Sequence, residues 1–161
     1  MNSVLLDANL LCLLVVGLTD RAAVAGHRRL SAFDVSDFDA VVEITDLFDD
    51  IILCPQVVAE TSNLLRYDRD HRRYSEVLRR LVHSYEERSN PSRKAVETPE
   101  FLQLGVTDAV LALLASGVGA VLSADAKLCH AIARRGHRAI NYNYVRDGAL
   151  KVAQIASWVR A

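Results

Sequence analysis

Four times along this chain a short apolar run stops at a polar or helix-starting residue. Val4-Leu5-Leu6 stops at Asp7, Ile51-Ile52-Leu53-Cys54 at Pro55, Ala120-Val121-Leu122-Ser123 just before Asp125, and Ala139-Ile140 at Asn141. Runs this short, apolar without alternation, are the pattern of strands buried on both faces of a parallel sheet. Helical patterns separate them, and right-handed crossovers then place helices on both sides of the sheet. The expected fold is α/β, a three-layer α/β/α sandwich with a central, mainly parallel, Rossmann-like sheet. A chain of 161 residues is read as one domain spanning 1–161.

The helices are legible from caps and spacing. Ala8 to Gly17 reads as a helix with Asp7 or Asn9 at its start and Gly17 as its stop. Thr19 to Val35 has no clean period and is expected as loop or weak helix. Ser36-Asp37-Phe38-Asp39 signals the start of an amphipathic helix carrying Ala40, Val41, Ile44, Leu47 and Phe48. From Pro55 to about Tyr67 a helix turns Val57, Val58, Leu64 and Leu65 inward, with Glu60 at the edge of that stripe. Arg66 to Lys94 is expected to be mostly helical up to Asn90-Pro91-Ser92, followed by a short edge strand at Ala95-Val96-Glu97. The segment from Gly105 to about Ser116 has no polar face and should be buried nearly all round. Helices at Asp125 to Arg134, stopped by Gly136, and at Lys151 to Val159 complete the chain.

A net charge of -1 removes the argument for a generally nucleic-acid-binding surface, so any such role must come from a local patch. Residues 66–94 hold nine basic against five acidic side chains. Arg66, Arg69, Arg72 and Arg73 are therefore candidate RNA-phosphate contacts, against the alternative of a solvated helix face. Cys12, Cys54 and Cys129 are odd in number and far apart, which suggests neither a disulfide framework nor a zinc site. With no 18-residue apolar span and no signal peptide expected, no membrane association is anticipated and the protein reads as cytoplasmic. The five histidines show no spacing for a metal or a triad. Tyr142, Tyr144 and Trp158 read as core or interface residues before base-stacking ones.

Four acids stand out. Asp7 and Asp125 lie at or just beyond strand ends, Asp108 opens a helix, and Glu60 sits about one turn into another. In an open parallel sheet all four can reach the edge where ligands bind. Capping accounts for each aspartate singly, but fits Glu60 worst. Together, without basic partners, they would repel unless a divalent cation neutralised them, and an oxygen-only set favours Mg²⁺ or Mn²⁺ over Zn²⁺. Such an ion suits hydrolysis of a phosphodiester.

The motifs LLDAN (Leu5 to Asn9), PQVVAE (Pro55 to Glu60), GVTDA (Gly105 to Ala109) and LSAD (Leu122 to Asp125) resemble, in this order, those of the PIN-domain nucleases, including VapC-type toxin ribonucleases. The resemblance runs over nearly the whole chain and implies a PIN-like fold. It places Asp7, Glu60, Asp108 and Asp125 as catalytic, metal-binding residues, and Asn9 and Ser123 in supporting positions. It implies a Mg²⁺- or Mn²⁺-dependent endoribonuclease leaving 3′-hydroxyl and 5′-phosphate ends, with an RNA substrate, a cognate antitoxin protein and a homodimer as partners. The stretch from Thr19 to Val35 and the basic helical region are longer than in compact toxins.

Two rivals are weighed. A haloacid-dehalogenase-type phosphatase needs a second aspartate two positions after Asp7, where the chain has Asn9. A catalytically silent PIN-like scaffold that binds RNA or protein is the alternative of a different class, and the presence of all four acids argues against it.

Overall fold

The structure, a computed structural model, describes residues 2–161. Five strands, β1 (Ser3–Leu6), β2 (Asp50–Leu53), β3 (Glu86–Glu87), β4 (Ala120–Ser123) and β5 (Ala139–Asn141), form one sheet in the order β3-β2-β1-β4-β5. Every neighbouring pair is parallel; Val4 stands opposite both Ile51 and Ala120. The three central strands are buried almost throughout, which explains why they are apolar at consecutive positions.

The order reverses at β1. From there the chain winds outward through β2 and β3, returns, and winds the other way through β4 and β5. Right-handed crossovers therefore put α1 (Ala8–Thr19), α2 (Val35–Thr45), α3 (Pro55–Leu65) and α4 (His71–Ser84) on one face. The other face takes α5 (Ser92–Val96), α6 (Pro99–Leu104), α7 (Val106–Leu114) and α8 (Ala126–Arg134). Packing follows this division: α1 touches α2, α3 and α4, while α7 touches α5, α6 and α8. Two last helices, α9 (Tyr142–Arg146) and α10 (Val152–Arg160), follow β5, and α10 returns to pack on α2. The buried Asp37 of α2 accepts from the Tyr142 hydroxyl at 2.6 Å and from Arg146 at 3.4 Å, which fixes α9 to that face. Among the described residues, no helix is long and apolar enough to cross a membrane.

Several local expectations change. Gly17 does not stop α1, which runs on to Thr19; a Cβ there would lie 2.1 Å from the Phe38 ring, so this glycine admits α2. The α2 helix starts one residue before Ser36, capped by Asp34, whose side chain accepts from the Asp37 N–H while Asp37 accepts from that of Asp34. Leu47 and Phe48 lie past its end. The 19–35 stretch holds two 3-10 helices, Arg21–Gly26 and Arg28–Leu30, pinned by Val24 and Leu30 in the core.

Ala95-Val96-Glu97 is not an edge strand, because Ser92–Val96 is helical; the edge strand is Glu86–Glu87, so the basic region's helix already ends at Ser84. Nor is α7 sealed on every side: Val106 is exposed and Leu113 and Leu114 are half-buried. The sealed helix is α1, where Leu10 to Val16 are all buried between the sheet and three helices. An apolar composition shows that a helix is buried; which helix is buried all round depends on the number of layers above it. The short helices α6 and α9 have no counterpart among the expectations.

Candidate functional site

A reversal of strand order leaves a crevice beyond the strand ends, here between β1 and β4, and this is where open α/β sheets bind ligands. Asp7 follows β1 directly and Asp125 lies two residues past β4. The strand ladder carries through to Asp7, whose N–H donates to Leu122 O at 3.2 Å. Asp7 is also the N-cap of α1, so one residue ends a rigid strand and starts the most buried helix.

Three donors hold the Asp7 carboxylate. Oδ1 accepts from the Leu10 N–H at 2.9 Å, and Oδ2 from the Ala124 N–H at 3.0 Å and from the Ser123 hydroxyl. The Ser123 Oγ in turn accepts the Asp125 N–H at 2.9 Å, so Ser123 links the two aspartates. Burial pushes the Asp7 pKa up; the hydrogen bonds oppose this, and the negative charge of Asp125 adds to it.

Asp125 caps α8 through Oδ1, which accepts from Lys127 N at 2.7 Å and Leu128 N at 3.2 Å. Its Oδ2 receives no hydrogen bond among the described residues. Asp108 lies in the first turn of α7, after Gly105, whose φ of +94° makes the sharp entry. Its pKa is raised to about 7, first by burial and then by the negative charges of Asp125, Asp7 and Glu60. Asp108 thus feels the negative charge of all three other acids named from the sequence. None of the ion pairs among the described residues involves them: these join Arg21 to Asp39, Arg79 to Glu76, Arg88 to Glu86, Arg135 to Glu100 and Arg146 to Asp37.

Glu60 is exposed on α3, which meets α7 across the crevice. Its neighbour Thr61 is buried and donates its hydroxyl to Ala8 O at 3.3 Å, tying α3 to the first turn of α1. Among the described residues, no three His, Cys, Asp or Glu side chains stand close enough together to form a ready-made metal cage. The donor set still fits a hard divalent cation. It is all oxygen, it carries uncompensated negative charge, Asp125 Oδ2 is free, and each carboxylate oxygen has two lone pairs.

The other site residues read from the sequence are placed differently. Asn9 is exposed, and no hydrogen bond joins its side chain to the acids among the described residues. Arg66, Arg69, Arg72 and Arg73 are exposed, and none forms an ion pair with the acids among the described residues. Arg66 follows the last turn of α3, and Arg72 and Arg73 line a groove with Leu18 and Thr19, at the opposite end of α1 from Asp7. Eleven residues of helix separate Leu18 from Asp7, roughly 16 Å.

Two supporting residues went unread in the sequence. Asn143 donates to Ala124 O at 2.6 Å and to Asn141 Oδ1 at 3.0 Å, bracing the Ala124–Asp125 peptide, whose N–H donates to Ser123 Oγ. The signal was an Asn-x-Asn after a strand, in which Asn141 caps α9. Thr61 was visible as the polar member of the buried series Val57, Thr61, Leu65.

No protein-family model and no curated protein matches the chain. Among solved structures, it is similar to the crystal structure of PAE2754 from Pyrobaculum aerophilum, with 18% sequence identity, 92% of this chain and 97% of that chain covered, and a TM-score of 0.52. At that identity the likeness establishes the α/β architecture alone.

Proposed function

We propose that this protein is a metal-dependent endoribonuclease of PIN-domain type. The observation that carries the reading is Asp108: three other carboxylates and burial raise its pKa to about 7, with no basic side chain as counterweight. A divalent cation bound among them would relieve that repulsion. Asp7, Glu60, Asp108 and Asp125 would hold Mg²⁺ or Mn²⁺. When bound, the ion supplies Lewis acidity to the phosphodiester and to the attacking water.

The chain's own residues do the rest. Ser123, the Ala124 N–H and the Leu10 N–H fix the Asp7 carboxylate, so little reorganisation is needed when the substrate arrives. Asp108 releases its proton as the cation enters, which makes cation affinity rise with pH up to about 7. The motif resemblance extends the reading to the toxin of a toxin–antitoxin pair, with a small antitoxin masking the crevice, and to a cytoplasmic setting, which the buried free thiols of Cys12, Cys54 and Cys129 suit.

One observation favours a second reading, a catalytically silent scaffold: both Asp7 oxygens are already engaged by protein donors. A single experiment separates the two. Wild type and Asp7→Asn are incubated with a panel of RNAs in Mn²⁺ and in EDTA, alongside Mn²⁺ calorimetry. Cleavage lost with both the substitution and the chelator supports the nuclease. A wild type that neither cleaves RNA nor binds Mn²⁺ supports the scaffold, and cleavage that survives both perturbations defeats the metal mechanism.

A further inference from the structure

We infer that the groove between α6 and α8 is the track along which the RNA strand approaches the acidic crevice, with Lys127 and Arg134 holding its phosphates. This rests on the ribonuclease reading and names a surface that reading leaves unassigned, since Arg72 and Arg73 line a groove at the far end of α1.

The groove has a volume of about 820 Å³. Pro99, Gln103 and Leu104 form one wall, and Lys127, Ala131 and Arg134 the other. Ala126 and Lys127, which directly follow Asp125, line one end of it, and Leu104 lies four residues before Asp108. Lys127, His130, Ala131 and Arg134 recur at helical spacing and all line it, so one stripe of α8 is turned to this channel. From Lys127 to Arg134 is seven residues, about 10 Å along the helix axis, enough for more than one phosphate of an extended strand.

The charges are arranged for an external anion. Arg135 is committed to the protein, with Nε and NH2 on the two oxygens of Glu100 at 2.9 and 2.7 Å, which fastens α6 to α8 and sets the width of the groove. Lys127 and Arg134 are exposed and form no ion pair among the described residues. Lys127 also stands in the first turn of α8, where the helix dipole disfavours a cation. Local helix stability does not account for a lysine there; an anion brought to the groove does. An acidic peptide has the same sign, and the carboxylates beside the groove repel it and an RNA strand alike until they are neutralised. A phosphodiester strand is drawn to the cations and is also what those carboxylates, once neutralised, would act on.

The test uses the full chain with both exposed residues replaced, Lys127→Ala/Arg134→Ala, and with Arg72→Ala/Arg73→Ala as the comparison. Binding of a labelled single-stranded RNA is followed by anisotropy in EDTA across 50 to 200 mM salt, and cleavage in Mn²⁺ gives KM and kcat. Each phosphate contact contributes about 0.7 to the slope of log affinity against log salt for single strands. The groove variant should lose about 1.4 from the wild-type slope and raise KM about tenfold with kcat nearly unchanged, while Arg72→Ala/Arg73→Ala keeps the wild-type slope. If wild type cleaves RNA but the groove variant retains slope and KM, or the slope loss falls on Arg72→Ala/Arg73→Ala, the track is wrong and the nuclease reading stands. Loss of binding to a poly-glutamate peptide, with RNA binding intact, assigns the groove to a protein and overturns the inference. A wild type that neither binds nor cleaves RNA overturns both.

Discussion

Asp108→Asn should stabilise the folded protein in the absence of divalent cations, and the gain should depend on pH. An unfolded aspartate titrates near 3.8, whereas folding raises Asp108 to about 7. Below about pH 3.8 the group is protonated in both states and costs nothing. Between there and pH 7 the folded state binds more protons than the unfolded one, so stability falls as pH rises, and above about 7 the penalty is complete. Undiminished, the rise corresponds to roughly 4 kcal/mol. Asp108 keeps partial contact with solvent, which screens the repulsion, and about 2 kcal/mol is the expected effect.

Asparagine keeps the shape and loses the charge, and no hydrogen bond supports the Asp108 carboxylate that the substitution would break. Urea unfolding in EDTA at pH 4, 6 and 8 measures the difference, which should be near zero at the first pH and about 2 kcal/mol in favour of the variant at the last. Saturating Mn²⁺ should reverse the order, since a ligand at a hundred times its Kd adds about 2.7 kcal/mol to a protein able to bind it. A variant less stable than wild type at pH 8 in EDTA, or a difference that ignores pH, would refute the account of four mutually repelling carboxylates.

Ser123→Ala removes the hydroxyl that donates to Asp7 and accepts from Asp125, at a fully buried site, and should cost about 1–3 kcal/mol in chemical unfolding with a matching fall in kcat. Arg135→Ala leaves the buried Glu100 without its two-pronged partner. The pair holds the Glu100 pKa down at about 2, so its contribution is present above the unfolded value of 4.5 and lost as pH falls toward 2. The variant should melt lower at pH 7, by about 2 kcal/mol, and match wild type near pH 2. Gly17→Ala sets helix propensity, which favours alanine by about 1 kcal/mol, against a Cβ 2.1 Å from the Phe38 ring. Overpacking should win, with a net loss of about 1–2 kcal/mol in denaturant unfolding.

The strands were legible because burial on both faces makes them apolar at every position, and Ala120–Ser123 was read to the residue. Of the two edge strands, β5 was read and β3 was not. Glu86–Glu87 is two exposed glutamates that pair with Ile52 and Leu53, so no hydrophobic signal marks it. The neighbouring Ala95 carried such a signal, yet it belongs to a short helix packed against α7. At the site, acids beyond strand ends were visible as charges out of place. The partners of Asn143 and Thr61 were not, because each acts on a backbone carbonyl distant in sequence. For the arginines a related limit holds: local charge shows a basic helix, but not at which end of the sheet it lies.

Capping and clustering looked like competing explanations for the aspartates, and the structure makes them one. Asp7 caps α1, Asp125 caps α8, and Asp108 occupies the first turn of α7. Three helix N-termini thus converge at the reversal of strand order, and each supplies partial positive charge where a carboxylate stands. That charge offsets part of the mutual repulsion and allows the acids to gather with no arginine or lysine paired to them. The remaining imbalance falls on Asp108, the one aspartate of the three that receives no hydrogen bond, and its raised pKa records it. Glu60, lacking a cap, stays in contact with water. A lysine or arginine in the crevice would have been the simpler way to stabilise the apo fold. Leaving the charge uncompensated costs stability and keeps the place open for a divalent cation and the phosphate it would accompany.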